Sequence, residues 1–122
     1  MEEFRFLNWN VYKDAKSIVK DIYLITSNFS QNLKYDLGSQ LNRSAASIVL
    51  NIAEGSGKNS DKELNRFFDI AIGSICETIA GLDIAYDNKL INKERFEKLT
   101  EKCKNIARQL GSFKKKLKAP KI

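Results

Sequence analysis

The stretch from Gln40 to Gly55 places the strongest limit on how this chain can fold. If it is helical, at about 100° per residue, its polar side chains share one arc roughly 100° wide. The members of that arc are Gln40, Arg43, Ser44, Ser47, Asn51 and Glu54. The opposite side centres on Leu41, Ala45, Ile48, Val49 and Ile52. Neighbouring elements must cover most of such a helix, so its polar stripe needs partners in this chain or in another copy.

Three more segments have apolar residues at three- and four-residue steps. Together the four segments predict helices at about 9–27, 35–54, 60–88 and 92–118. The last has the most regular spacing, through Phe96, Leu99, Cys103, Ile106, Leu110, Phe113 and Leu117. This spacing is typical of left-handed helix packing. The prediction is an all-α fold, an up-down-up-down antiparallel four-helix bundle with left-handed packing, forming one domain over residues 1–118 with a short tail at 119–122.

Several local signals add detail to this bundle. We expect Asn8, Ser60 and Asn92 to cap helices, with Glu63 completing a capping box. Gly73 and Gly81 weaken helix propensity and suggest close helix approaches. Among the apolar residues outside the helices, Phe29 is predicted to plug one end of the bundle, and Phe4, Phe6 and Leu7 are predicted to pack back on the domain.

Charge is distributed unevenly along the 122 residues. Residues 93–122 hold eleven Lys or Arg and three Glu, whereas residues 1–92 hold ten Lys or Arg and twelve Asp or Glu. The basic C-terminal end can indicate a nucleic acid or another anionic partner. Lysines that solvate an exposed helix face are the common alternative explanation.

The composition also removes whole classes of function. Histidine is absent, which removes the usual general base and the usual zinc ligand. Cys76 and Cys103 lie within apolar helical patterns, and we read them as small buried hydrophobes, with a structural disulfide as the alternative. No run reaches the roughly 18 apolar residues that a membrane span needs, and acidic Glu2 and Glu3 stand where a signal peptide would be basic. We therefore expect a cytoplasmic protein without membrane association, metal or cofactor, and not an enzyme.

The segment from Gly55 to Ser60 resembles a phosphate-binding loop only superficially. Ile52 replaces the first glycine, Asn59 replaces the metal-binding hydroxyl, and a helix precedes the segment. A milder hypothesis is that Lys58 and the free amides at the start of the third helix receive a phosphate. The alternative is a glycine-rich turn between antiparallel helices.

Polar residues of the two central helices allow two interpretations. Glu54 and Glu77 are predicted to be partly enclosed, and they could form a metal pair. The second interpretation is a polar network for assembly or fold specificity, within one chain or across a subunit interface, because an unpaired buried charge is costly. Its members are Gln40, Arg43, Ser47, Asn51, Glu54, Ser74 and Glu77.

These residues also carry a family resemblance. The run from Gln40 to Ile48, then Asn51 to Gly55 with Gly57 and Lys58, and then Gly73 to Ile75 with Glu77, resembles the four-helix-bundle proteins encoded in intervening sequences of bacterial 23S ribosomal RNA genes. Phe6, Trp9, Tyr23 and the pair Phe67 and Phe68 also fit this family. Lys58 stands where the family pattern has arginine, which keeps the charge but loses bidentate phosphate geometry.

The resemblance implies a homo-oligomer, a pentamer of bundles arranged as a ring or barrel, with a link to ribosomal RNA. The accessory proteins of diversity-generating retroelements, a related family, imply binding to nucleic acid and a reverse transcriptase. Our first hypothesis is a non-enzymatic oligomer that binds RNA or DNA through basic surface. The candidate residues are Arg43, Lys58, Arg66, Lys114, Lys115, Lys116 and Lys118. The second is an oligomeric protein-interaction scaffold without a nucleic-acid role, and the third is a small-molecule enzyme using Glu54 and Glu77.

Overall fold

The computed structural model describes residues 3–118, which contain four long helices and no strand. We label them α1 (Asn10–Thr26), α2 (Ser39–Ser56), α3 (Asp61–Asp87) and α4 (Lys93–Lys118). Three of them lie within one residue of their predicted bounds, whereas α2 begins four residues later and ends two residues later than predicted. The all-α prediction of a four-helix bundle is therefore confirmed, whereas the left-handed packing and the domain boundary at residue 118 stay predictions.

Side-chain contacts between two neighbouring helices join residues near the start of one helix to residues near the end of the other, and middle residues to middle residues. This order is expected when helices joined by short connections lie antiparallel. The contacting pairs are Thr26 with Asn42, Ser44 with Thr78, Ser47 with Ser74, Asp69 with Lys114, Tyr86 with Phe96, Asp14 with Gln109, and Asp21 with Lys102.

The core is built from the apolar faces that the periodicity predicted. Phe68, Ile18, Ile48 and Leu110 are fully buried. Removing apolar surface from water in this way stabilises the bundle by roughly 1.5–3 kcal/mol for each large side chain. The regular spacing in α4 also holds: Leu99, Cys103, Ile106 and Leu110 are buried, and Phe96, Phe113 and Leu117 pack against them.

Polar caps fix the starts of two helices. The Ser60 hydroxyl accepts a hydrogen bond from the Glu63 amide at 3.2 Å, and the Asn92 side chain accepts one from the Arg95 amide at 2.8 Å. The second half of the predicted capping box is not formed, because the Glu63 carboxylate binds Arg66 instead. The expected cap at Asn8 is wrong, since α1 begins after Trp9 without a side-chain cap.

The chain enters α2 through a longer helical approach than predicted. A short helical turn at Gln31–Leu33 and a π-helical turn at Lys34–Gly38 lead directly into Ser39. Phe29, only 5% exposed, packs beside Gly38 and closes this end of the core, as predicted. A π-helical turn has i→i+5 hydrogen bonds and so holds an extra residue compared with an α-helical turn. The backbone stays helical from this turn into α2.

The segment before α1 packs less completely than the sequence suggested. Phe6 makes an edge contact with the Tyr12 ring, with centroids 4.8 Å apart. Phe4 and Leu7, in contrast, are 68% and 51% exposed, so the prediction that they pack back on the domain is wrong.

The two cysteines differ in their surroundings. Cys103 is fully buried in α4, and this burial raises the pKa of its thiol from 9.0 to about 12. Cys76 is an exposed free thiol on α3, so the prediction of a buried cysteine is wrong there. The apolar pattern around Cys76 did not show which side of α3 faces solvent at this position.

Within residues 3–118, no helix is long and apolar enough to cross a membrane.

Candidate functional site

Three of the predicted network residues join α2 to α3. The Ser47 and Ser74 hydroxyl oxygens lie 2.8 Å apart, and the Asn51 amide donates to the Ser47 hydroxyl at 3.0 Å and to its carbonyl at 2.8 Å. Ser74 also donates to the Ile70 carbonyl at 3.3 Å. The network therefore satisfies small polar groups at a partly buried helix contact, as the polar stripe of α2 required.

A second hydroxyl pair lies deeper in the same helix contact. The hydroxyls of Ser44 and Thr78 are 2.8 Å apart and both residues are buried. Ser44 was predicted to lie on the polar arc of α2, but its pairing with Thr78 was not predicted. The spacing could have indicated it: Ser44 and Ser47 are three residues apart and Ser74 and Thr78 are four apart, so each pair lies on one side of its helix and the two pairs can meet.

The other predicted network members face solvent in the single chain. Gln40, Arg43, Glu54 and Glu77 are all exposed. None of their side chains forms a hydrogen bond with the described residues 3–118. The expectation that Glu54 and Glu77 are partly enclosed is thus wrong for one chain, because α2 and α3 turn these positions outward. Their role in assembly stays a prediction.

The exposure of the two carboxylates also bears on the metal-pair interpretation. Metal sites in proteins gather several convergent ligands. Among the described residues, no group of three or more Cys, Asp or Glu side chains is placed to hold a metal ion.

Two predicted nucleic-acid-binding residues, Lys58 and Arg66, meet at the turn between α2 and α3. The Lys58 ammonium lies 5.1 Å and the Arg66 guanidinium 4.6 Å from the centre of the Phe67 ring. Arg66 also binds the Glu63 carboxylate through two contacts, at 3.1 and 3.3 Å. This hydrogen-bonded pairing lowers the pKa of Glu63 and raises the pKa of Arg66. The aromatic ring and the carboxylate hold both cations in place at the surface.

The lysines near the end of α4 lie at the same end of the bundle as this turn. Lys114 pairs with Asp69 on α3, and Lys115 and Lys116 are exposed. The side chain of Lys118 lies outside the described residues. Since Lys114 is already paired, Lys115 and Lys116 are the more available charges in this cluster.

An aromatic cluster shows why these segments share one end. Trp9 and Phe113 have ring centroids 4.9 Å apart, and Phe68 and Phe113 have centroids 5.0 Å apart. These rings tie the start of α1 and the early part of α3 to the last turns of α4. Arg5 adds another cation at this end, 5.3 Å from the Trp9 ring centre. We call this surface, formed by Arg5, Lys58, Lys62, Arg66, Lys114, Lys115 and Lys116, the basic end.

Arg43 does not belong to the basic end. It lies near the start of α2, about 20 Å along the helix axis from the turn that holds Lys58. Arg5 and Lys62 were not among the predicted residues. The four-residue spacing of Lys58, Lys62 and Arg66 could have added Lys62, whereas only the packing of the segment before α1 brings Arg5 to this end.

These features define a class of protein: an all-helical bundle with a hydroxyl network between its central helices and a basic end. The chain belongs to the 23S rRNA-intervening sequence protein family, whose model matches residues 8–112. This confirms the family resemblance seen in the sequence.

Solved structures support the same fold. The chain is similar to a protein with unknown function from the S23 ribosomal protein family of Bacteroides thetaiotaomicron VPI-5482, with a TM-score of 0.78 and 23% sequence identity. The similarity covers 86% of this chain and 98% of that one. No curated protein matches the sequence.

Proposed function

We propose that this protein is a non-enzymatic homo-oligomer that binds RNA or DNA through the phosphates that meet its basic end. The observation that carries the proposal is the gathering of cations from the segment before α1, the turn between α2 and α3, α3 itself and α4 on one end of the bundle. Clustered Lys and Arg side chains attract nucleic acid because binding releases the counterions that surround the phosphates.

The surroundings of these cations favour phosphate contact over base reading. Two of the rings near them are used internally, since Phe67 is 7% exposed and Trp9 packs on Phe113, whereas Phe4, beside Arg5, is an exposed ring. Sequence-specific recognition of single-stranded RNA usually needs aromatic rings free to stack on bases. We therefore expect weak sequence preference and a steep dependence on salt.

The test is a fluorescence anisotropy titration with three labelled probes: a structured RNA, a DNA duplex and an unstructured RNA. Each probe is titrated at low and near-physiological salt, with the native protein and with Lys115→Glu/Lys116→Glu. We expect binding that weakens with salt and falls at least about tenfold in the variant, because four charge units change at the basic end.

The matched control is Lys93→Glu/Lys98→Glu, which makes the same charge change at the opposite end of α4. Both control lysines are exposed. A general electrostatic effect would weaken binding equally in both variants and would remove the basic end from the proposal. Absence of binding by the native protein even at low salt would contradict a nucleic-acid role.

The alternative is a homo-oligomeric interaction scaffold with no nucleic-acid role. Exposed apolar side chains on the bundle favour it, among them Leu50 at 64% and Ile84 at 49%. Large apolar surfaces that remain exposed in one chain are typical of protein-protein contacts. The same titration separates the two functions, because a scaffold would bind none of the three probes.

A further inference from the structure

An apolar groove runs along the outside of the bundle between α1 and α2. Val19 and Tyr23 form one wall, Ala46, Val49 and Leu50 form the other, and the shallow, open groove between them has a volume of about 470 Å³. Tyr23 is 50% and Leu50 is 64% exposed. Two cations, Lys16 and Lys20, also line it. Surfaces of this kind, apolar with a charged rim, usually receive a partner.

A second apolar surface lies on α3. Ile70, Glu77 and Ile84 are seven residues apart and therefore form one line along the helix. Ile70 is 40% and Ile84 is 49% exposed. We call this line the α3 stripe. Gly73, one turn along the same side, would meet no atom within 4 Å if it carried a Cβ, so the surface beside the stripe is open.

The two surfaces carry opposite charge. From residue 67 to residue 88 the chain has four carboxylates and no Lys or Arg. On α1, the acidic residues Asp14 and Asp21 face away from the groove, because they bind Gln109 and Lys102 on α4. The lysines beside the groove are therefore not neutralised by carboxylates of their own helix, and Glu77 is a suitable partner for them.

We propose that the α3 stripe of one copy docks in the α1–α2 groove of the next copy, with Ile70 and Ile84 meeting Leu50 and Tyr23, and Glu77 meeting Lys16 or Lys20. This inference rests on the homo-oligomer of the proposed function and assigns its contact surfaces. Pairing of the groove with its own copy would instead bring lysines against lysines.

The groove and the stripe lie on neighbouring sides of the bundle. The stripe adjoins Ser74 and Gly81, which contact α2, so both surfaces flank α2.

Two variants test the assignment by each blocking one surface. Leu50→Asp blocks the groove, and Ile70→Asp/Ile84→Asp blocks the stripe. All three positions are exposed, so the bundle can fold with either change, which far-ultraviolet circular dichroism verifies. The control is Leu24→Asp, at a residue of α1 that is 57% exposed and does not line the groove. The molar mass of each protein is measured by light scattering.

We expect the native protein and the Leu24→Asp control to be oligomers and each blocked variant to be a monomer. An equimolar mixture of the two blocked variants should form a heterodimer and nothing larger, because only one intact groove and one intact stripe can meet. Native mass in both blocked variants, loss of mass in only one of them, or a mixture that stays monomeric would overturn the assignment while leaving the homo-oligomer in place. A monomeric native protein would refute the homo-oligomer itself.

Charge reversal gives a second readout that needs no apolar substitution. Lys16→Glu/Lys20→Glu should weaken association by about tenfold or more, because like charges then face each other across the contact. Adding Glu77→Lys to the same chain should restore association at least in part. Failure of Glu77→Lys to restore any association would contradict the pairing of these surfaces.

Discussion

Leu41 occupies the space that a side chain at Gly81 would need. A Cβ built on Gly81 would lie 2.7 Å from Leu41 Cδ2 and 3.0 Å from Leu41 Cγ. Leu41 is 1% exposed, so it has little room to move aside. The close approach of α2 and α3 that the sequence suggested at Gly81 is therefore real, whereas the one suggested at Gly73 is wrong, because that position is open.

We expect Gly81→Ala to destabilise the protein by roughly 1–3 kcal/mol, because overpacking against Leu41 outweighs the gain in helix propensity. The measurement is urea-induced unfolding followed by circular dichroism. Gly111→Ala is the control, since a Cβ there meets no atom within 4 Å and the change should stabilise α4 by about 0.5–1 kcal/mol. Equal effects in the two variants would contradict the close packing.

The Ser60 cap predicts a loss of stability in Ser60→Ala. The hydroxyl of Ser60 accepts the Glu63 amide, which has no other partner in the first turn of α3. Thermal unfolding should show a loss of about 1 kcal/mol. Ser30 also precedes a helical segment but makes no side-chain cap, so Ser30→Ala should leave the midpoint nearly unchanged. A similar loss in both variants would argue against the cap.

The exposure of the two cysteines predicts different thiol reactivity. Cys76 is exposed and Cys103 is buried. A maleimide reagent at neutral pH should modify one thiol in the native protein and two in urea. Peptide mapping should place the native modification at Cys76, and rapid native modification of Cys103 would show that the core opens.

The raised pKa of Cys103 predicts lower stability in alkali. Burial disfavours the thiolate, so above pH 9.0 the unfolded chain loses this proton more readily than the folded one, up to the folded pKa of about 12. The free energy of unfolding should fall as pH rises through this range. In Cys103→Ala, which lacks the group, the decline should be shallower, although the cavity lowers stability at every pH. Parallel pH profiles would contradict the burial effect.

The salt dependence of nucleic-acid affinity should show how many phosphates contact the basic end. If Lys115 and Lys116 each neutralise one phosphate of a DNA duplex, their loss should make the slope of log K against log salt shallower by about 2. Anisotropy titrations at four or more salt concentrations give the slope. An unchanged slope together with weaker binding would show that the two lysines act at long range without contacting phosphates.

The helices and several of their ends follow from residues that are close together in the chain. Apolar residues at three- and four-residue steps mark a helix because side chains on one face recur each turn, and this pattern gave α4 within a few residues. The caps at Ser60 and Asn92 were also predictable, since a cap uses only residues three apart in the chain. The polar stripe of α2 was less informative, because only Ser47 and Asn51 of its predicted members joined Ser74 in one network.

Which side chains are exposed, and which distant residues form one surface, depends on how the helices pack. Periodicity gives the apolar side of a helix but not how far its neighbours cover the flanks. Glu54 and Glu77 were therefore expected to be partly enclosed and Cys76 to be buried, and all three are exposed. The basic end likewise depends on antiparallel packing, which brings Lys58 beside the end of α4 and leaves Arg43 far away. Helix formation depends on neighbours within about one turn of the chain, whereas exposure and surface charge depend on contacts between distant segments.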